Sequence, residues 1–245
     1  MEATKRNVAG LARALLALLL VAAVPASAGV VMNATRYIYN AGDREISVRL
    51  TNKGSLPVLT QAWIDDGDAR STPEHVDVPF NLTPPIARVE SGRSQTLRIA
   101  FTDGTLPEDR ESQFWLNVLE VPPKAADGSE GNTMQLAFRY RLKLFYRPKG
   151  LKGSPARAAE ALTWTRSAGG TLAVSNASPF YVALNELRLT TPSGEVEAEP
   201  LSIAPHASVT PPLPKALPPG RLDIHYQSIN DYGGFVAHST TIDAR

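Results

Sequence analysis

Apolar residues recur at every second position in stretch after stretch of this chain. Ile46, Val48 and Leu50 alternate with Ser47 and Arg49; Leu97, Ile99 and Phe101 alternate with Arg98 and Ala100; Leu222, Ile224 and Tyr226 do the same near the end. A period of two puts one set of side chains on one face of an extended strand and the rest on the other, so the pattern predicts half-buried strands. Residues 114–121 form a largely apolar run interrupted by Asn117. Many of the 20 prolines and 17 glycines fall between the runs, which keeps the strands short and points to β-sandwiches. No long helical stripe follows the N-terminus; residues 156–162 support one or two helical turns at best. The chain has no cysteine, so disulfides cannot staple small modules together and each domain needs an ordinary core of near-normal size. At 43% hydrophobic residues the composition supplies such cores.

The first residues point to export. Lys5, Arg6 and Arg13 supply positive charge, residues 14–24 are continuously apolar, Pro25 breaks the run, and Ala26-Ser27-Ala28 is a small-x-small cleavage site. Residues 1–28 are therefore expected to be a signal peptide, leaving a mature chain that starts at Gly29; the alternative is an uncleaved anchor. The apolar run is shorter than the ~20 residues that a bilayer requires. No later segment is apolar enough to span one, so membrane insertion is not expected. The formal net charge is +1, and the leader carries off three basic residues against a single acid, Glu2. Neither nucleic acid nor an anionic membrane is an expected partner of so balanced a chain.

The run Lys149-Gly150-Leu151-Lys152-Gly153-Ser154-Pro155 is polar and turn-rich, as a linker should be. It divides the mature chain into an N-terminal domain, 29–150, and a C-terminal domain, 151–245, each of roughly immunoglobulin-like size (about 100 residues). Just before it, residues 132–148 alternate over an unusual length. Met134, Leu136, Phe138, Tyr140, Leu142 and Leu144 share one face; Gln135, Ala137, Arg139, Arg141, Lys143 and Arg147 share the other. A strand of some ~15 residues far exceeds the usual 5–6. At a sheet edge it would be an aggregation hazard, and equally a template for pairing with another chain. The same pattern fits a central strand with both faces covered; the sequence alone favours that reading, although periodicity cannot tell an edge strand from a central one.

Four strings together resemble the periplasmic chaperones of the chaperone–usher pathway, over nearly the whole mature chain: GVVMNATRYIYNAG (29–42), LPEDRESQFWLNVLEVPP (106–123), NTMQLAFRYRLKLFYRP (132–148) and INDYGG (229–234). The short loop between Val121 and Met134 is similar to that of the subgroup serving rod- and adhesin-type pili. The resemblance implies an all-β protein of two immunoglobulin-like β-sandwich domains in a boomerang arrangement. It implies a periplasmic chaperone that binds, folds and caps pilus (fimbrial) subunits by donor-strand complementation and delivers them to an outer-membrane usher. Carried over residue by residue, Arg36 and Lys143 would anchor the subunit's C-terminal carboxylate; Met134, Leu136 and Phe138 would be donor-strand residues; Glu111, Arg147 and Asp231 would form a charged trio linking the domains. At rest the donor strand needs cover, which a self-capping homodimer would supply.

No catalytic or metal site can be assembled. His75, His206, His225 and His238 fall in no metal-binding spacing, and neither a nucleophile elbow nor a phosphate-binding glycine loop occurs. Asp65, Asp66 and Asp68 lack the further spaced ligands of a calcium loop and read as a strand-connecting turn. No cofactor and no enzymatic activity are expected. The alternative function is a secreted immunoglobulin-like structural or adhesive fibre module, which should carry a spare N-terminal donor arm; here the chain after residue 28 enters the ATR strand almost directly.

Overall fold

A computed structural model describes residues 29–102, 104–124 and 135–243. The leader expected at 1–28 and the donor residue Met134 lie outside the described residues. Nine strands precede the linker: β1 (Val30–Met32), β2 (Arg36–Asn40), β3 (Ile46–Asn52), β4 (Val58–Asp65), β5 (Phe80–Thr83), β6 (Ile86–Val89), β7 (Ser94–Phe101), β8 (Ser112–Val121) and β9 (Phe138–Arg147). They form two facing sheets, ordered β1-β3-β7-β5 and β2-β9-β8-β4-β6. Val48, Leu50, Leu97 and Ile99 of the first sheet pack in one core with Leu116, Val118 and Leu144 of the second. Burying each such aliphatic side chain contributes about 1.5–3 kcal/mol.

After the linker come α1 (Pro155–Glu160) and eight strands: β10 (Thr163–Arg166), β11 (Leu172–Asn176), β12 (Val182–Thr191), β13 (Gly194–Ala198), β14 (Leu201–Ile203), β15 (Ala207–Val209), β16 (Leu222–Ile229) and β17 (Phe235–Ile242). The small helix has Pro155 in its first turn, and Ser154 Oγ accepts a bond from the Arg157 amide; both are helix-start chemistry. The Tyr226 hydroxyl donates to the Ala159 carbonyl at 2.9 Å and docks the helix on a second, separate core.

One pairing breaks the antiparallel rule and positions everything that follows. β1 pairs with β3 in the first sheet, and the chain then crosses to the second, where β2 pairs parallel with β9. Asn33 is the pivot. Its side-chain oxygen accepts bonds from the Arg49 amide and the Tyr37 hydroxyl, fixing the crossing at both ends. Because β2 begins only at Arg36, opposite Lys143, it covers β9 from Lys143 to Arg147 and no further. β8 covers the other side of β9 along its length, from Phe138 to Tyr146. Among the described residues β9 is thus a central strand in its second half and an edge strand over 138–142. The two alternatives that periodicity could not separate each hold for half of the element.

The strand is also shorter than its alternation suggests. β8 ends at Val121 and is followed by Pro122 and Pro123, which have no amide hydrogen to donate. Ladder pairing with β8 therefore starts at Phe138, opposite Glu120. Upstream, Gln135 bonds through its side chain to the Pro122 and Pro123 carbonyls.

Candidate functional site

The register places Arg36 of β2, Lys143 of β9, Trp115 of β8 and Asp65 of β4 in one row across four strands. Their neighbours Tyr37, Phe114 and Leu144 point into the core, so this row lies on the outer face of the sheet. The polar side of β9 is a ladder of cations, and most of its rungs are occupied. The Arg141 guanidinium donates to Asp65 Oδ1 at 2.6 Å and stacks over Trp115, 4.4 Å from the ring centre. Arg139 donates to Asn117 Oδ1 and the Ala69 carbonyl and lies 4.7 Å over Trp63. Arg147 donates to Glu111 and Asp231.

Lys143 is the exception. Among the described residues it forms no ion pair; its ammonium lies 5.7 Å from the Trp115 ring, on the row it shares with Arg36. Burial, and secondarily the Arg36 charge, bring its pKa down to about 8. Arg36 donates one bond to the Ile229 carbonyl of the second domain, at 3.1 Å, while its Nε is buried without a partner. Burial lowers its pKa too, opposed by Asp231. Two partly desolvated cations side by side, with unused donors and, among the described residues, no ion pair to either, form a site that favours an anion, and a carboxylate can take bonds from both.

Among the described residues, no strand pairs with β9 on the β2 side upstream of this pair. Along this open side run Phe138, Tyr140 and Leu142, whose side chains face the gap between the two sheets. That gap opens as a surface groove also lined by Val30, Met32 and Ala34. Phe138 is 54% exposed and Leu136, just before the strand, 55%. Of the residues expected to act as donors, the two that are described are solvent-facing, and of these two Phe138 lies in β9.

Glu111, Arg147 and Asp231 come together as the expected trio. Arg147 Nε donates to Glu111 Oε1 at 2.6 Å, and its two terminal nitrogens donate to the two Asp231 oxygens at 2.7 and 2.9 Å. The second Glu111 oxygen accepts the Tyr181 amide at 2.8 Å, and the Glu111 amide donates to the Pro179 carbonyl. Both domains therefore close on one carboxylate whose side chain is 2% exposed. Burial pushes the Glu111 carboxyl up, against the pull of Arg147 and of the Tyr181 amide. Nearby, Gly233 has φ of +81° and sits so close to Thr35 that a Cβ would collide with its hydroxyl. Only glycine satisfies both the turn and the contact between domains.

The turn assigned to 65–68 needs one correction. Residues 66 and 67 bend as expected, but Asp65 is the buried end of β4, its carboxylate holding Arg141, Asn117, Ser71 and the Gly67 amide. Burial raises its pKa, but these donors outweigh burial and keep it below the usual carboxylate range. Trp115 and Asp65 were missed as parts of the site. Their only sequence signal was strand parity, which means nothing until the register between β4, β8 and β9 is known.

Two family models match the chain: that of the pili and flagellar-assembly chaperone PapD N-terminal domain over residues 29–152, and that of the pili assembly chaperone PapD C-terminal domain over 157–240. Among curated relatives, the chaperone protein FimB/FhaD of Bordetella pertussis is 48% identical over 240 residues, 96% of each chain. Among solved structures, the YadV chaperone superposes with a TM-score of 0.76 at 38% identity, covering 88% of this chain and all of the other. A Salmonella enterica complex of the SafA pilin with the SafB chaperone matches with a TM-score of 0.73 at 30% identity, over 90% of this chain and 98% of the matched one.

Proposed function

This chain belongs to the pilus-assembly chaperone family of the chaperone–usher pathway, and we propose that it completes unfinished pilin-type subunits by lending them the open edge of β9. The carrying observation is that, among the described residues, an unpaired strand edge, 138–142, runs straight into a pair of cations that form no ion pair. A subunit strand laid along that edge, parallel to β9 as β2 is, points its C-terminus at Arg36 and Lys143. Its main chain bonds to β9, its terminal carboxylate takes the two cations, and that end point sets the register, which an apolar ladder alone leaves free to slip. Leu136 and Phe138, with Met134 beyond the described residues, then supply apolar side chains to the subunit's open core.

The pilin complex of the SafB chaperone supports pilin-type subunits as the partner class. Family membership supports work in the periplasm after leader removal and delivery to an outer-membrane usher. It also supports a role without catalysis, and it leaves the fibre-module alternative without favour. A homodimer that covers the β9 edge at rest is part of the proposal.

The test is a synthetic strand with alternating apolar residues and a free C-terminal carboxylate, compared with its amidated form and with Lys143→Ala protein. Charge-assisted bonds of this kind contribute about 1.5–3 kcal/mol, so amidation and Lys143→Ala should each weaken binding by at least about tenfold. Equal binding in all three cases rejects the carboxylate anchor.

A further inference from the structure

Glu120 is a buried charge that the proposed function does not use. It is the inward-facing residue at the end of β8, 6% exposed, directly opposite Phe138 at the start of the open edge. One of its oxygens accepts two neutral donors, the Val30 amide at 3.0 Å and the Tyr140 hydroxyl at 3.1 Å. Among the described residues no lysine, arginine or histidine pairs with it. Its other oxygen occupies the place a Cβ of Gly29 would take, so no other residue fits without displacing the carboxylate. Gly29 is held in that place from the far side, its carbonyl accepting the Lys53 amide at 3.0 Å.

A buried carboxylate is expected to have a cation, since desolvating an unpaired one costs several kcal/mol. Gly29 is the residue at which the mature chain is read to begin. We infer that the cation is the α-ammonium group freed at Gly29 when the leader is removed, and that Glu120 is its built-in acceptor. In the uncleaved chain that nitrogen is an uncharged amide. Cleavage breaks the Ala28–Gly29 peptide bond by hydrolysis; the new amine, with an ordinary pKa of about 7.7–8.0, takes up a proton on the residue whose Cβ position the carboxylate fills. The ion pair ties β1 to β8 across the mouth of the sandwich, directly below Tyr140 and beside Phe138. The edge that is to be lent would then reach its final form only after processing.

The experiment uses the protein secreted and processed by its own leader, with its N-terminus identified by intact mass and sequencing. It is compared with Glu120→Gln and with a chain that carries one extra serine before Gly29. The first readout is the rate at which the α-amine is acylated at pH 7.5. Pairing keeps it protonated, so acylation should be about tenfold slower than in Glu120→Gln, where its surroundings are equally crowded. The second is thermal melting. A raised amine pKa stabilises the fold fully below its unfolded value near 8 and ceases to as pH rises through the folded value. The midpoint gap between the native protein and either comparator should therefore close between about pH 8 and 10. Equal acylation rates, a serine extension that melts like the native protein, or a mature N-terminus other than Gly29 overturns the inference. If Glu120→Gln does not fold, the extended chain decides the matter alone. The inference rests on the export reading, and neither readout involves a pilin, so its failure leaves the subunit-binding proposal standing.

Discussion

Lys143 carries opposite demands at the scale of a single residue. The proposed carboxylate anchor needs its ammonium charged and poorly neutralised; folding does not. Its pKa in the folded protein, about 8, lies below the unfolded value, so the charged form is the one that folding disfavours. The sign follows: the cost is greatest below about pH 8 and disappears as pH rises through the unfolded value near 10.4. Lys143→Met should therefore stabilise the resting protein, by on the order of 1 kcal/mol once solvent screening is allowed for, while removing affinity for the free-acid strand. Calorimetry and peptide titration on the same sample check both halves. In the unsubstituted protein the affinity should fall as pH rises through about 8, because the free lysine loses its proton there; a flat profile from pH 6.5 to 9.5 contradicts the role given to this group.

β9 shows how one element can be core and interface at once. Leu144 is fully buried between the sheets, whereas Phe138, three side chains earlier on the same face, is 54% exposed. Leu144→Ala should cost about 2–5 kcal/mol in a denaturant melt, as other core truncations do. Phe138→Ala should leave that melt within about 0.5 kcal/mol of the native curve and weaken strand binding instead. If both substitutions destabilise alike, 138–142 is not a free edge. The alternation of 132–148 was plain in the sequence, and so was its division into an apolar and a cationic face. What alternation does not carry is the identity of the neighbours. The edge exists because Asn33 turns the chain out of one sheet three residues before β2 enters the other, and that is a matter of where strands meet.

At the scale of the molecule, the two sandwiches are joined through Arg147, which grips Glu111 of its own domain and Asp231 of the other. Arg147→Ala leaves the Glu111 carboxylate buried with no cation and should cost about 3–5 kcal/mol; adding Glu111→Gln, which can keep a bond to the Tyr181 amide, should recover part of that loss. Melting curves measure both, and solution scattering should show the domain angle loosened in the single variant. Unchanged melting of Arg147→Ala would mean that the trio does not hold the domains. The period-two pattern, the prolines and glycines between strands and the lack of cysteine were enough to determine an all-β chain, because each is a local property of the backbone and its side chains. The family strings added which residues are expected to carry the function. Only the tertiary structure decided that Asp65 takes Arg141, that Glu120 waits beside Gly29, and that, among the described residues, Lys143 is left unpaired and half of β9 lacks a neighbour. These depend on register between strands distant in sequence, where a shift of one residue would turn every side chain to the opposite face.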